Sequence, residues 1–174
     1  MAEKKYTPMM QHYLKMKEEN PDSILFYRLG DFYEMFFEDA KLVSQELDLV
    51  LTGRSAGVEE KVPMCGIPFH AANSYIQRLV KKGYKVAICE QLEDPSSAKG
   101  LVDRGIIKII TPGTYMDATM DAKSTNYMAS CDVSSFEITV IYCELSTGEL
   151  KYQTLQRSLV ALQKALLEQN VSEL

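Results

Sequence analysis

Residues 26–40, which read FYRLGDFYEMFFEDA, decide the fold of the first half of this chain. Gly30 separates two short apolar runs, residues 24–29 and 32–35, and this arrangement is typical of two strands hinged at a tight turn. In an extended strand, side chains two residues apart point to the same face. The spacing therefore predicts that Phe32 and Glu34 lie side by side on one face of the second strand.

An aromatic ring beside a carboxylate suits a ligand that has a flat apolar surface and a polar edge. The ring of Phe32 can stack on the surface, and an unpaired Glu34 can exchange hydrogen bonds with the edge. A nucleobase has both features. The alternative is that Phe32 belongs to the core and Glu34 is a solvated neighbour. We expect Phe32 to be exposed, because Tyr33, Met35 and Phe36 are enough to supply the core.

The remainder of residues 1–112 alternates strands with helices, which indicates an α/β domain. Helices are expected from Thr7-Pro8 to Asn20-Pro21, after the hairpin with acidic residues in the first turn, and from Ala72 to a stop at Gly83. Other expectations are strands at 86–89 and 106–110 buried on both faces, a buried strand at 49–51, an exposed loop at 53–61 and an apolar turn at 63–68.

The pattern changes after residue 112. Residues 113–125 (GTYMDATMDAKST) are small, polar and aperiodic, which predicts a linker. Residues 136–143 then alternate in polarity as a strand does, with Phe136, Ile138, Val140 and Tyr142 on one face. A turn at 146–148 leads to another strand at 150–154, and a helix follows. Residues 126–174 therefore predict a second α/β unit that is cut short.

Bulk properties narrow the class of protein. The chain has 174 residues, 46% of them hydrophobic and 25% charged, as in a folded globular protein. No run approaches the length of a membrane span, and no apolar segment follows residues 1–5 to form a signal peptide, so we expect no membrane partner. Four widely spaced cysteines predict free thiols in a reducing cytosol. The net charge of −5 predicts weak DNA affinity for this chain alone.

Four motifs occur in order along the chain: FYRLGDFYEMFFEDA (26–40), VPMCGIPFHAANSYI (62–76), KVAICEQLEDPSSAKG (85–100) and IIKIITPGT (106–114). Together they closely resemble the N-terminal region of the MutS family of DNA mismatch-recognition proteins. The resemblance implies a mixed-sheet mismatch-recognition domain with flanking helices over residues 1–112. It also implies a linker at 113–125 and the start of a ribonuclease-H-like connector domain, incomplete, at 126–174.

The same resemblance assigns function. It implies that Phe32 wedges into a mispaired or unpaired site from the minor groove of double-stranded DNA and that Glu34 contacts the displaced base. Met64 is expected beside the wedge, and Arg54 and Lys61 are expected to contact phosphates. The full-length family acts in the cytoplasm as an ATP- and magnesium-dependent homodimer with downstream repair proteins. No G-x-x-x-x-G-K-[ST] loop occurs here, so we expect neither that ATPase nor a cofactor in this chain.

Two rival functions belong to other classes. A ribonuclease-H-like nuclease would need metal-binding carboxylates, for which the candidates are Asp132, Glu144, Glu90 and Glu93. Asp132 is expected at the edge of a turn, and we expect no catalysis. Alternatively, the face with Phe32 and Glu34 contacts another protein chain.

Overall fold

The computed structural model of the protein describes residues 6–93, 100, 102–115 and 126–174. These residues form helices and strands with the following bounds: α1 (Pro8–Glu19), β1 (Ser23–Leu29), β2 (Phe32–Phe36), α2 (Phe37–Leu47), β3 (Thr52–Arg54), β4 (Val62–Pro68), α3 (Ala72–Lys81), β5 (Lys85–Gln91), β6 (Arg104–Ile110), β7 (Tyr127–Val133), β8 (Glu137–Glu144), β9 (Glu149–Gln156), α4 (Leu159–Glu168) and β10 (Val171–Glu173). A single 3-10 turn, Phe69–Ala71, precedes α3.

The chain divides into two compact units between Ile110 and Thr111. Each unit has its own mixed sheet with helices packed on it, as an α/β protein requires. The predicted limits of the two domains and of the linker stay predictions. Residues 116–125 of that linker lie outside the described part of the chain.

The first unit is a six-stranded sheet in the order β3-β4-β2-β1-β5-β6. Strands β1 and β5 pair in parallel, and the other neighbours pair antiparallel. Helix α1 packs on the face that carries Leu25 and Tyr27. The opposite face meets α2, where the Cys65 thiol lies 3.4 Å from the Ala40 carbonyl oxygen. The core therefore fills both sides of the central strands.

Helix limits follow the predicted signals closely. Thr7 caps α1 by accepting a hydrogen bond from the Met10 amide at 3.4 Å, and the helix ends at Glu19. Helix α2 has Glu38 and Asp39 in its first turn, where negative charge is favourable. Helix α3 ends just before Gly83, which has a φ of 91°. The three predicted helices of this unit are confirmed.

Several strand predictions are wrong. Residues 49–51 are not a buried strand, because Val50 and Leu51 are exposed and the strand begins at Thr52. The predicted loop at 53–61 includes the end of β3 and the buried Ala56. The predicted turn at 63–68 belongs to the seven-residue strand β4. Strand β6 is an edge strand with exposed residues, so it is not buried on both faces.

The second unit is a four-stranded sheet in the order β10-β7-β8-β9. Its core contains Tyr127, Ile138, Val140 and Tyr142, against which Leu162 of α4 packs. The predicted alternation holds over β8, but Phe136 lies outside the strand and is 89% exposed. No helix in the described part of the chain is long and apolar enough to cross a membrane.

Candidate functional site

One face of β2 runs from the core to solvent. Phe36 is fully buried, Glu34 is half-buried and Phe32 is 47% exposed. Tyr33 and Met35, which point the other way, are both buried. The prediction that Phe32 is exposed is therefore confirmed, and so is its shared face with Glu34. We call this side of the strand the front face and the other side the back face.

The turn before Phe32 positions the exposed ring. Gly30 has a φ of 57°, in the left-handed region that favours glycine, and it lets β1 reverse directly into β2. The Asp31 carbonyl oxygen accepts a hydrogen bond of 2.9 Å from the Phe69 amide, just after β4 ends. The hairpin tip is thus held on both sides, by β1 and by the segment after β4.

The neighbours of Glu34 across the sheet are unequal in size. Tyr27 lies opposite it on β1, and Gly66 lies opposite it on β4. A Cβ atom at Gly66 would lie 3.5 Å from Cγ of Glu34. Gly66 adds no side chain between Glu34 and the edge strand, and Arg54 of β3 reaches Glu34 across β4 on this side.

Met64 lies on the same face but deeper. It pairs with Phe36 across β2 and β4, is half-buried, and packs against the hydrophobic core beneath α1. The expectation of an apolar turn at this position is wrong, since Met64 is in mid-strand. Its predicted contact with the minor groove stays a prediction.

Glu34 is paired with an arginine. The guanidinium Nη1 of Arg54 donates to Oε2 of Glu34, and the Arg54 guanidinium also lies 5.9 Å from the centroid of the Phe36 ring. The expectation that Glu34 is an unpaired carboxylate is therefore wrong. Sequence reasoning missed the pair because the two residues lie on separate strands, 20 positions apart. The predicted contact of Arg54 with phosphate stays a prediction.

Lys61 is exposed and immediately precedes β4. Its side chain lies beside Gly53, where an added Cβ would be 3.0 Å from the Lys61 Cβ. Lys61 and Arg54 thus belong to the same β3–β4 connection, at the edge of the sheet. The predicted phosphate contact of Lys61 likewise stays a prediction.

The back face carries a second carboxylate–arginine pair that sequence reasoning did not single out. Oε1 of Glu90 accepts a hydrogen bond from the Tyr33 hydroxyl and lies 3.3 Å from Nη1 of Arg28. The Arg28 guanidinium lies 3.8 Å from the centroid of the Phe69 ring. Burial, and then the hydrogen bond to Glu90, raise the pKa of Tyr33 to about 12, so its hydroxyl stays a donor. Polar residues inside apolar strands were the available signal.

The carboxylates considered for a nuclease are dispersed. Glu90 belongs to the back face, and Asp132, paired with Thr139, is the next-to-last residue of β7, beside the turn to β8. Hydrogen bonds from Thr147 and Ser146 lower the pKa of Glu144 to about 2. Within the described residues, no three histidine, cysteine or acidic side chains are grouped as metal ligands.

The fold and this site define a mixed α/β domain that presents an exposed aromatic ring and an ion-paired carboxylate on one strand face. A family model for MutS domain I matches residues 7–119. DNA mismatch repair protein MutS of Clostridium botulinum (strain Loch Maree / Type A3) is 54% identical over 177 residues, covering 96% of this chain. The MutS of Clostridium tetani (strain Massachusetts / E88) is 58% identical over 146 residues, covering 83% of this chain.

This chain belongs to the MutS family, and residues 7–119 are its domain I. The chain spans only 19% and 17% of the lengths of these two relatives. The family match therefore covers the unit that carries Phe32 and Glu34, together with the first residues beyond it.

Proposed function

We propose that this chain recognises mismatched DNA by inserting Phe32 into a weakened base step from the minor groove, for DNA mismatch repair. The observation that carries the proposal is the 47% exposure of Phe32 at the end of a strand whose other apolar side chains on both faces are buried. Membership of MutS domain I supports it. Burial elsewhere in the strand holds the ring in a fixed direction, as a wedge requires.

The physical basis is the unequal cost of unstacking. Inserting an apolar side chain between base pairs costs a few kcal/mol, and the cost is least where pairing is already poor. Stacking of a base on an aromatic ring returns roughly 1–3 kcal/mol. A ring at Phe32 therefore discriminates by deformability, because a mispair yields where a Watson–Crick step resists.

Glu34 acts on the base that the ring displaces. Its carboxylate accepts a hydrogen bond from a base N–H or, when protonated, donates one to a ring nitrogen. Gly66, opposite Glu34 on β4, adds no side chain beside the carboxylate. In this proposal Met64 contacts the minor groove, and Arg54 and Lys61 contact phosphates.

The remaining proposals concern the longer protein. Residues 126–174 begin a ribonuclease-H-like connector domain, and the chain itself binds DNA without catalysing a reaction. The nucleotide-binding loop of the family does not fit any segment here, because the sequence has no G-x-x-x-x-G-K-[ST] motif. We propose that the longer protein supplies the ATPase, acts as a homodimer with downstream repair proteins, and works in the cytoplasm.

The test is a titration of mismatched and matched duplexes with the full-length protein. Phe32→Ala is expected to abolish the preference for the mismatch and to leave weak, salt-sensitive binding to any duplex, because backbone charge supplies the non-specific affinity. Phe136→Ala, which removes an 89% exposed ring from the second unit, is the matched control and should keep the preference. Retention of the preference in Phe32→Ala would reject the proposal.

A further inference from the structure

We propose that Arg54 is a specificity-determining residue that Glu34 holds away from DNA until a displaced base takes its place. The proposal rests on the function proposed above and adds a regulation of the same site. On matched duplex the Glu34–Arg54 pair stays closed, and neither charge contributes to binding. At a mismatch Glu34 binds the base, and Arg54 is released to a phosphate.

The exposure of the two partners shows which one is free to move. The Glu34 side chain is 16% exposed and the Arg54 side chain is 37% exposed. Glu34 projects from β2, which has paired strands on both sides, whereas Arg54 ends the three-residue edge strand β3. Glu34 is therefore fixed, and the long side chain of Arg54 can turn outward into solvent.

The pair is simple enough to be exchanged. Within the described residues, Glu34 is the one side chain to which Arg54 donates, and Arg54 is the one residue whose side chain donates to Glu34. A base N–H competes with the Arg54 guanidinium for the same carboxylate oxygens of Glu34.

Charge explains why this exchange would produce selectivity. An open Glu34 beside phosphates is repelled, but a Glu34 neutralised by Arg54 is tolerated. The closed pair therefore gives matched duplex no added attraction from Arg54. When the base replaces Arg54, the released guanidinium can make a bidentate, charge-assisted contact with phosphate. Mismatched DNA thus gains one phosphate contact that matched DNA lacks.

The number of phosphate contacts can be measured from the dependence of the binding constant on salt concentration. Each neutralised phosphate contributes about 0.9 to the slope of log K against log salt on duplex DNA. We expect Glu34→Gln to strengthen binding to matched duplex and to steepen its slope by about one contact. Glu34→Gln with Arg54→Gln should return both to the values of the original protein. On mismatched DNA, Arg54→Gln alone should lower the slope by about one contact.

Two further variants keep the experiment decisive. Lys61→Gln, at the end of the connection between β3 and β4, should lower the slope equally on both duplexes, because Lys61 forms no ion pair with a carboxylate of the described residues. Arg54→Lys retains the charge and should retain the original slopes. This variant still tests the role of the charge if Arg54→Gln does not fold. Circular dichroism spectra of each variant check folding.

One result would contradict the exchange. If Glu34→Gln strengthens binding to matched duplex by the same factor in the original protein and in the Arg54→Gln variant, direct repulsion by Glu34 explains the effect and the exchange is wrong. An unchanged slope on mismatched DNA in Arg54→Gln also rejects it. Phe32→Ala is measured in parallel. If Phe32→Ala loses the mismatch preference while the effects of Glu34→Gln and Arg54→Gln on binding are additive, the exchange is rejected and the proposed function is kept. Retained preference in Phe32→Ala rejects the proposed function itself.

Discussion

Among the described residues, one carboxylate–arginine pair lies on each face of the β1–β2 hairpin, Glu34–Arg54 in front and Glu90–Arg28 behind, and the two pairs are built differently. On the front face, Glu34 receives one side-chain donor, from Arg54 at the edge of the sheet. On the back face, Glu90 receives both Arg28 and the Tyr33 hydroxyl, and its other oxygen lies 3.3 Å from the Gln91 amide. The carboxylate on the front face thus has one side-chain donor, whereas the carboxylate on the back face has several contacts.

This difference indicates that the back face stabilises the hairpin and that the front face binds the ligand. On the back face, Arg28 also stacks on Phe69, whose amide is bonded to the turn at Asp31, so the contacts fix β1, β5 and the segment after β4 to the hairpin. The front face leaves Phe32 exposed and Glu34 paired with Arg54, whose side chain is 37% exposed. We infer that the back face provides the rigidity on which a wedge depends, whereas the front face provides the contacts that a ligand exchanges.

The largest expected difference between the faces is in folding stability. Arg28→Ala removes the partner of Glu90 and the stack on Phe69, and both side chains of the pair are largely buried. Breaking a fully buried pair costs 3–5 kcal/mol, so we expect a loss of about 2–3 kcal/mol in the free energy of unfolding. Arg54→Ala is expected to cost less, about 1–2 kcal/mol, because Arg54 is 37% exposed at the sheet edge, although the change leaves the 16% exposed Glu34 without this partner. Urea denaturation of this chain measures both.

Equal losses in the two variants would contradict the distinction between the faces. An intermediate result is also informative through the m-value, because Arg28→Ala should change the midpoint and leave the slope with urea unchanged if only stability is altered.

A smaller effect is expected from the Tyr33 hydroxyl. Tyr33→Phe keeps the buried ring and removes one donor to Glu90, which still has Arg28. We expect a loss of about 1 kcal/mol in the free energy of unfolding, the usual value for one hydrogen bond. The ratio of mismatched to matched binding should stay unchanged in the full-length protein. A fall in that ratio at full stability would place the back face in ligand contact.

Sequence reasoning found the parts of the hairpin that depend on local pattern. The two-residue spacing of Phe32 and Glu34 and the freedom of Gly30 are local, and they correctly predicted the turn and the shared face of the two side chains. The exposure of Phe32 was correctly predicted because Tyr33, Met35 and Phe36 are enough to supply the core. The helix ends were predicted for the same reason, since caps act within one turn. The pairing of an aromatic ring with a carboxylate suggested a nucleobase as the ligand, and the family resemblance supplied the specific roles of Phe32 and Glu34.

The failures arose where distant segments meet. Pro63 and Pro68 suggested a turn, because proline is rare in central strands, yet Pro63 pairs with Gly53 of a very short edge strand and Pro68 ends β4. The apolar run at 49–51 suggested burial but lies exposed before that edge. The pairing of Glu34 with Arg54 depends on β3 and β2 both flanking β4, which no spacing in the sequence indicates.

The smallest expected effect is the pH dependence of stability that Tyr33 contributes on the back face. Burial and the bond to Glu90 raise the pKa of Tyr33 from 10.0 to about 12. The unfolded chain therefore loses this proton first, so the stabilisation from Tyr33 is complete below pH 10 and is lost as the pH rises towards 12. At pH 11 the loss is about 1 kcal/mol, because one pKa unit corresponds to about 1.4 kcal/mol. Tyr27, whose pKa burial also raises to about 12, contributes a similar decline that Tyr33→Phe leaves in place. The difference in unfolding free energy between the original chain and Tyr33→Phe should consequently shrink between pH 8 and pH 11, as measured by urea denaturation at both values.

Tyr152→Phe, which removes a hydroxyl from an exposed side chain of β9, should differ from the original chain by the same small amount at both pH values. If the Tyr33→Phe difference is also constant, the hydroxyl is not held by Glu90, and the back face would then be supported mainly by the stack of Arg28 on Phe69.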